Sequence, residues 1–256
     1  MRVVSLTCSN TEIICALGRG DALVGADDDS DWPPDIVAGL AGVGRDLDID
    51  AARVAALEPD LVLASLTVPG HEKVLERLEA AGLPYIAPEP VCLADIYRDI
   101  EDIGARIGAS ERATALVADM QAAMPARPLA ADAPSILVEW WPKPVIAPGR
   151  LSWVTDLIGL AGGRNPLAEE PVKSLPLDDA VVAEIAPDAV VLSWCGVRVD
   201  KYRPEVVYRN ARFERIPAVV NERVVPISEA WLGRPSPRVV DGYRALSALV
   251  DDLRRD

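Results

Sequence analysis

The chain has 256 residues, half of them hydrophobic, and carries 26 lysines and arginines against 40 aspartates and glutamates, a formal net charge of −14. This length allows two lobes that each bury a core, and the apolar content argues against a disordered chain. Because an acidic surface repels phosphate backbones and anionic lipid head groups, we expect no nucleic acid and no anionic membrane surface among the partners.

The start of the sequence, Met1 to Leu6, lacks the long apolar region of a signal peptide and reads directly as a first strand. No stretch approaches the roughly 18 apolar residues of a membrane span. As written, the sequence predicts a cytoplasmic protein. If a leader is missing from this chain, we expect a periplasmic or cell-surface location.

Short β-branched or Leu-rich runs alternate with helical patterns in both halves of the chain. In the first half, strands are predicted at residues 2–6, 60–64 and 84–87, and helices at 10–17, 51–57 and 72–81. In the second half, strands are predicted at residues 135–139, 189–193 and 223–227, and helices at 152–160, 179–185 and 237–253. Such alternation favours a parallel sheet with helices on both faces, an α/β fold.

A near-repeat indicates two lobes of similar build. Residues 57–65, LEPDLVLAS, match residues 185–193, IAPDAVVLS, 128 residues later. Each copy follows a helix with an acidic capping candidate and contains a proline where that helix must stop. Residues 93–124 lack strand character, and apolar residues at helical spacing predict a helix over 111–124. We therefore predict an N-terminal α/β lobe at 1–108, a connecting backbone helix at 109–127 and a C-terminal α/β lobe at 128–256.

The sequence contains no motif typical of an enzyme or a metal site. A phosphate loop, a dinucleotide-binding glycine motif and a nucleophile elbow are all absent. The only histidine, His71, is interpreted as an exposed residue at a helix start, and four scattered cysteines without a CxxC pair make a zinc site improbable. We predict no catalytic residue, no metal ligand and no intrinsic cofactor.

The tryptophans suggest a ligand site. Four of the six lie at or just beyond the carboxyl ends of predicted second-lobe strands: Trp140, Trp141, Trp194 and Trp231. In open α/β sheets the ligand crevice lies outside those ends. Each tryptophan taken alone could equally be a core residue, but together they predict a flat, aromatic-lined site.

Three arginines in loops are candidate polar anchors: Arg45, Arg150 and Arg234. A guanidinium presents a planar fork that suits carboxylates, amide oxygens or phosphate, although each arginine could also serve solubility alone. Gly149, next to Arg150, is expected to let the backbone approach a ligand closely.

Several blocks, in order, carry a family resemblance: RVVSL at 2–6, NTE at 10–12, LVG at 23–25, SDWPP at 30–34, LEPDLV at 57–62, GGRN at 162–165 and AWLGRPSPR at 230–238. With them the chain resembles the helical-backbone substrate-binding proteins of ABC importers, which handle cobalamin, ferric siderophores and haem, and most of all the cobalamin-binding branch. The resemblance implies two doubly wound α/β lobes with parallel sheets, joined by a single long rigid helix, with the ligand cleft between the lobes.

The resemblance also implies roles for individual residues. Trp140 and Trp141 fall in the second-lobe aromatic segment that holds the corrin, and Arg234 matches an arginine that reaches the ligand. Asp29, Asp46 and Ser65 stand where those binders can have aromatics, so the first-lobe half of a corrin sandwich is missing. Asp29 is kept with the ligand-binding candidates, and the ligand could be a different corrinoid, a metal chelate or a more polar molecule.

Proteins of this family dock on their permease through an acidic residue on each lobe, facing arginines of the transporter. Glu72 occupies the matching helix start in the first lobe, and Glu205 is the second-lobe candidate, with Asp200 as the alternative. Such charge pairs steer association and set register.

We predict a monomeric, non-enzymatic substrate-binding protein that carries a cobalamin-like corrinoid or related metal chelate to an ABC permease. Two alternatives remain: a cytosolic ligand-handling protein or enzyme on the same fold, and a structural interaction module whose tryptophans are core residues.

Overall fold

The computed structural model describes residues 1–255, so that Asp256, the last residue of the predicted C-terminal lobe, lies outside the described residues. The chain forms two compact units. Unit 1 comprises Met1–Pro90 and Ala94–Met120, and unit 2 comprises Val91–Leu93 and Gln121–Asp256. The lobe boundaries predicted above, at residues 108 and 128, stay predictions.

Unit 1 is built on a parallel sheet. Its strands are β1 Val3–Ser5, β2 Leu23–Ala26, β3 Ala41–Gly42, β4 Gly44–Arg45, β5 Asp48–Ile49, β6 Leu61–Leu63 and β7 Tyr85–Ile86. Its helices are α1 Cys8–Ala16, α2 Pro34–Val37, α3 Ala51–Ala56, α4 His71–Ala80 and α5 Leu93–Arg106, and α6 Ser110–Ala123 runs through the division between the units. The five-stranded sheet has the order β3-β2-β1-β6-β7, and all its pairs are parallel.

The core of unit 1 lies against the middle of this sheet. Val4 and Val62, on the neighbouring strands β1 and β6, are fully buried and pack with Val54 of α3 and with Val74 and Leu78 of α4. Because both strands are buried throughout and are apolar except for Ser5, they suit a parallel sheet that is covered by other elements. Helix α3 begins at the predicted cap, since Asp50 Oδ1 accepts hydrogen bonds from the backbone N–H groups of Ala52 and Arg53.

Unit 2 combines two small sheets with helices. Its strands are β8 Ile136–Glu139, β9 Trp141–Pro142, β10 Val145–Pro148, β11 Ser174–Leu177, β12 Ala189–Leu192 and β13 Val224–Pro226. Its helices are α7 Trp153–Leu160, α8 Asp179–Ile185, α9 Glu205–Tyr208, α10 Pro217–Val220, α11 Glu229–Leu232 and α12 Val239–Leu253. One sheet is parallel, in the order β13-β12-β8, and the other is antiparallel, in the order β11-β10-β9.

The predicted α/β class is confirmed, with a parallel sheet in each unit. Several elements went unpredicted, among them helix α5, strand β2, which contains Gly25, and the antiparallel sheet of unit 2. The latter holds Pro142, Pro148 and Pro176, and proline argues against a strand unless the strand lies at an edge. Pro176 does lie on an edge strand, β11.

The near-repeat has the same structure in both units. Glu58 and Ala186, each directly before a proline, both adopt a left-handed backbone with φ of 46° at the end of a helix. The aspartate two residues further along then holds the backbone just before a neighbouring strand, β1 in unit 1 and β8 in unit 2. Asp60 Oδ2 accepts the backbone N–H of Arg2 at 2.6 Å, and Asp188 Oδ2 accepts that of Ser135 at 2.7 Å.

None of the helices within residues 1–255 combines the length and the hydropathy that crossing a bilayer requires.

Candidate ligand-binding site

The candidate site of unit 2 lies where its parallel strands end. Trp140 directly follows β8, Trp194 follows β12 by two residues, and Trp231 lies in α11, after β13. Because the three strands are parallel, these positions share the carboxyl edge of one sheet. The predicted placement of these tryptophans at strand ends therefore agrees with the strand bounds.

Two buried polar groups at this edge have no hydrogen-bond partner. They are the indole Nε1 of Trp140 and the hydroxyl of Ser193, and they follow the paired residues Glu139 and Leu192 on adjacent strands. An unsatisfied buried donor costs about 1–3 kcal/mol, so a ligand that supplies an acceptor would be stabilised here. The neighbouring Trp141 leaves 44% of its surface exposed.

Trp194 is buried in the core of unit 2. Only 7% of it is exposed, and its ring lies 5.4 Å from that of Tyr202. Its indole Nε1 donates a hydrogen bond of 2.8 Å to Oε1 of Glu139. Core packing, one of the two alternatives left open for each tryptophan, describes Trp194.

Glu139 is the polar residue of this region that sequence reasoning missed. It is 2% exposed, and burial raises the pKa of its carboxyl to about 7, although the hydrogen bond from Trp194 and the nearby charge of Asp179 also act on it, in opposite directions. A carboxylate that ends an apolar strand is the signal that could have revealed it, because such a position leads from the core to the edge of the sheet.

Arg234 forms an ion pair with Glu229. Its guanidinium contacts Oε1 of Glu229 at 2.9 Å through one terminal nitrogen and at 3.2 Å through Nε, and both side chains are largely buried. Arg150, by contrast, is exposed. Glu229 is a second residue that sequence reasoning did not select, although it lies only five positions before Arg234.

The close approach expected at Gly149 exists within the chain itself. A Cβ at this position would stand 2.5 Å from the carbonyl oxygen of Val172 and 2.9 Å from that of Glu170. Glycine is required here because residues 170–172 pass directly over the backbone, and this packing accounts for the residue without a ligand.

The predicted residues of unit 1 pair with each other. The Arg45 guanidinium contacts Oδ1 of Asp29 at 2.6 and 2.9 Å, in an exposed ion pair. Asp27, two residues earlier, is buried and accepts the hydroxyl of Ser30 at 2.6 Å. Burial raises the pKa of Asp27 to about 6.

The interpretation of His71 as an exposed residue is wrong. His71 does begin a helix, α4, but it is only 3% exposed. Its Nδ1 accepts the backbone N–H of Val68, so Nε2 carries the proton that is donated to Oδ1 of Asp46 at 2.8 Å. Asp46 is one of the positions where the resemblance allows an aromatic, and here it holds a histidine.

The docking candidates are exposed residues near helix starts. Glu72 lies in the first turn of α4, where its Oε2 accepts the backbone N–H of Gly70 at 2.8 Å. Glu205 is the first residue of α9. Asp200, the alternative, forms ion pairs with Arg198 and Lys201, which lower the pKa of its carboxyl. Within residues 1–255, no cluster of His, Cys, Asp or Glu is placed to hold a metal ion.

Comparison with known proteins identifies the family. Residues 3–230 match the family model described as periplasmic binding protein, and the chain belongs to this family. It is 28% identical to an ABC transporter substrate-binding lipoprotein, YvrC, of Bacillus subtilis, over 97% of this chain and 79% of that protein. It is 25% identical to a vitamin B12-binding protein of Vibrio parahaemolyticus, over 99% of this chain and 90% of that protein.

A solved structure shows the same fold. The apo form of the periplasmic heme-binding protein RhuT from Roseiflexus superposes with a TM-score of 0.82 and 26% identity, covering 98% of each chain. These comparisons confirm the predicted class, a substrate-binding protein of the kind that serves ABC importers, and the family is one of binding proteins. The prediction of a cytoplasmic protein finds no support among relatives named as periplasmic proteins or as a lipoprotein.

Proposed function

We propose that this protein binds a flat metal chelate, a corrinoid or a haem-like tetrapyrrole, outside the cytoplasm and delivers it to an ABC permease. The observation that carries this proposal is the Trp140 indole N–H, buried without an acceptor beside the exposed Trp141 at the carboxyl edge of a parallel sheet. The family and the names of the relatives, which include vitamin B12-binding and heme-binding proteins, support the ligand class.

In this proposal each tryptophan has a different role in ligand binding. Trp141 and Trp231 offer apolar surface to the ring system, and the Trp140 N–H donates to an acceptor on its rim. Trp194 contributes from the core, because its hydrogen bond to Glu139 holds the strand end that precedes Trp140.

Arginines supply the polar contacts. Arg150 and Arg234 reach amide or carboxylate groups of the ligand, and the contact to Glu229 fixes the orientation of Arg234. The ion pair of Asp29 and Arg45 is the polar contact that unit 1 offers in place of an aromatic.

Docking on the permease is proposed to use Glu72 and Glu205, each facing an arginine of the transporter, with the binding protein acting as a monomer. Both carboxylates are exposed. Charge reversal at either position should lower the rate of association and its dependence on salt, with little change in ligand affinity.

The test is a titration of the purified protein with cobalamin, cobinamide, haemin and a ferric siderophore, followed by tryptophan fluorescence and thermal shift. A ligand at 100 times its Kd should stabilise the fold by about 2.7 kcal/mol. Trp141→Ala should weaken binding, whereas Leu129→Ala, which truncates another exposed apolar side chain of unit 2, should not. If none of the four compounds changes either signal, the proposal is wrong.

A further inference from the structure

Unit 2 contains a large open cavity whose lining includes none of the tryptophans. Its volume is about 1270 Å³, and its wall is made by the turn at residues 142–144, the start of α8, helix α9 and the segment 209–213. Leu177, Val207 and Phe213 provide apolar surface. This is ample room for a small molecule, since ligand sites commonly measure roughly 300–1,000 Å³.

The buried carboxyl of Glu139 also lines this cavity. Oε1 of Glu139 accepts the Trp194 indole N–H, whereas Oε2 has no hydrogen-bond partner among the described residues. Because burial raises the pKa of this carboxyl to about 7, it is neutral in mildly acidic solution. In that form Oε2 carries a proton that it can donate to a ligand.

The other charged groups of the cavity favour an anion. Four cations line it, Lys143, Arg203, Arg209 and Arg212, against three further acids, Asp178, Asp179 and Glu205.

One of the three acids and one of the four cations are already engaged, since Arg203 donates to the carbonyl oxygens of Asp200 and Tyr202. Asp179 already accepts the side-chain amide of Asn210 at 3.0 Å. Lys143, Arg209 and Arg212 have no ion pair with any described carboxylate, so their charges are available to an oxyanion.

We propose that this cavity binds the oxyanion of a small molecule, a carboxylate or a phosphoryl group, with Lys143, Arg209 and Arg212 as cationic contacts and Glu139 as a hydrogen-bond donor. The site does not depend on the proposed chelate-binding tryptophans, because neither Trp140 nor Trp141 lines it; it shares Glu205 with the proposed docking surface. Acid should strengthen binding, since protonation turns Glu139 from a repelling carboxylate into a donor.

The experiment is isothermal titration with sulfate and with oxalate in zwitterionic buffers at pH 6 and pH 8, a range over which neither probe changes its charge. We expect an affinity about tenfold higher at pH 6, as a single protonation near neutrality dictates. Binding of oxalate alone assigns the site to carboxylates, and binding of sulfate alone assigns it to phosphoryl groups.

Variants identify the residues involved. The double variant Arg209→Ala, Arg212→Ala should lower the affinity at least about tenfold. Arg215→Ala is the matched control, because Arg215 is exposed and lies outside the cavity wall, and it should bind like the wild type. Glu139→Gln places a neutral amide donor in the cavity lining, so this variant should retain binding and lose the pH dependence of binding.

Three results would overturn the proposal. They are failure of both probes to bind at pH 6, unchanged affinity in the double arginine variant, and binding that tightens as the pH rises. The last result would instead indicate a cationic ligand held by Glu139, Asp178 and Asp179. The chelate titration of the wild type is a separate measurement. Failure of oxyanion binding therefore does not contradict the proposal of chelate binding, and the reverse also holds.

Discussion

Glu139 and Trp194 lie 55 residues apart in the chain, and a buried hydrogen bond of 2.8 Å joins the carboxyl of the first to the indole of the second. The bond connects the carboxyl ends of the adjacent parallel strands β8 and β12. It also holds a group whose pKa, about 7, lies near neutrality. A change in the protonation state of Glu139 therefore changes the charge at the edge of the sheet where the candidate ligand site lies.

The stability of the protein should fall as the pH rises from 5 to 8. The folded state keeps the Glu139 proton up to its pKa of about 7, whereas the unfolded chain releases it near the usual 4.5. More protons are thus bound in the folded state within this window, and the free energy of unfolding decreases by on the order of 3 kcal/mol from this group. Urea unfolding at the two pH values measures the change.

Two further carboxyls, Asp27 and Asp99, add to the same trend, since burial raises each pKa to about 6. Glu139→Gln isolates the contribution of Glu139, because glutamine still accepts the Trp194 N–H and has no charge to bury. We expect this variant to be more stable than the wild type at pH 8 and to show a flatter pH profile. An unaltered profile would contradict the assignment to Glu139.

Gly149→Ala should destabilise unit 2. The new Cβ would stand 2.5 Å from a backbone carbonyl oxygen that cannot move without shifting residues 170–172. Overpacking of this kind costs about 1–3 kcal/mol, measurable as a lower Tm. Gly159→Ala is the matched control, because this helical position has open space around it and should gain about 0.5–1 kcal/mol.

Arg234→Ala should cost about 3–5 kcal/mol of stability, because it leaves the Glu229 carboxylate in a largely buried site without the guanidinium. The double variant Arg234→Ala, Glu229→Gln should recover part of that loss in urea unfolding. Ligand binding is best measured in the double variant, where a loss of affinity reports on the arginine rather than on a damaged fold. Equal stability of the single and double variants would show that the pair is not coupled.

Trp153→Phe should lower the free energy of unfolding by about 1–3 kcal/mol. The Trp153 indole Nε1 donates to the carbonyl oxygen of Leu232 at 2.7 Å in a buried site, and phenylalanine leaves that carbonyl unpaired. Trp141→Phe provides the comparison, because Trp141 is exposed and its replacement should change stability by less than about 0.5 kcal/mol. Similar losses in both variants would count against the hydrogen bond as the cause.

Sequence patterns located the central strands and their helices to within a few residues. Strands such as β6 and β12 are continuous apolar runs that follow a helix stop at proline, and both signals are local. Strands β9 to β11 were missed because prolines interrupt them, and because β10 pairs with β11 through residues such as Val145 and Leu177, which are far apart in the chain.

The edge of the sheet that carries the tryptophans followed from strand order alone. The burial of Trp194 could not be predicted in the same way. It depends on contacts with Glu139 and Tyr202, which lie elsewhere in the chain. The contact of Arg234 with Glu229 could not be predicted for a different reason, because charged residues five positions apart are common and are usually solvated.

The aspartates of the near-repeat bear on how the protein is made. Asp60 fixes the start of β1, and every pairing of β1, with β2 and with β6, lies within residues 3–63. The ribosome therefore releases the complete centre of the first sheet before it has synthesised Ser135 or Asp188. Unit 1 can therefore form its strand register during translation. In unit 2 the corresponding contact, between Asp188 and Ser135, forms later.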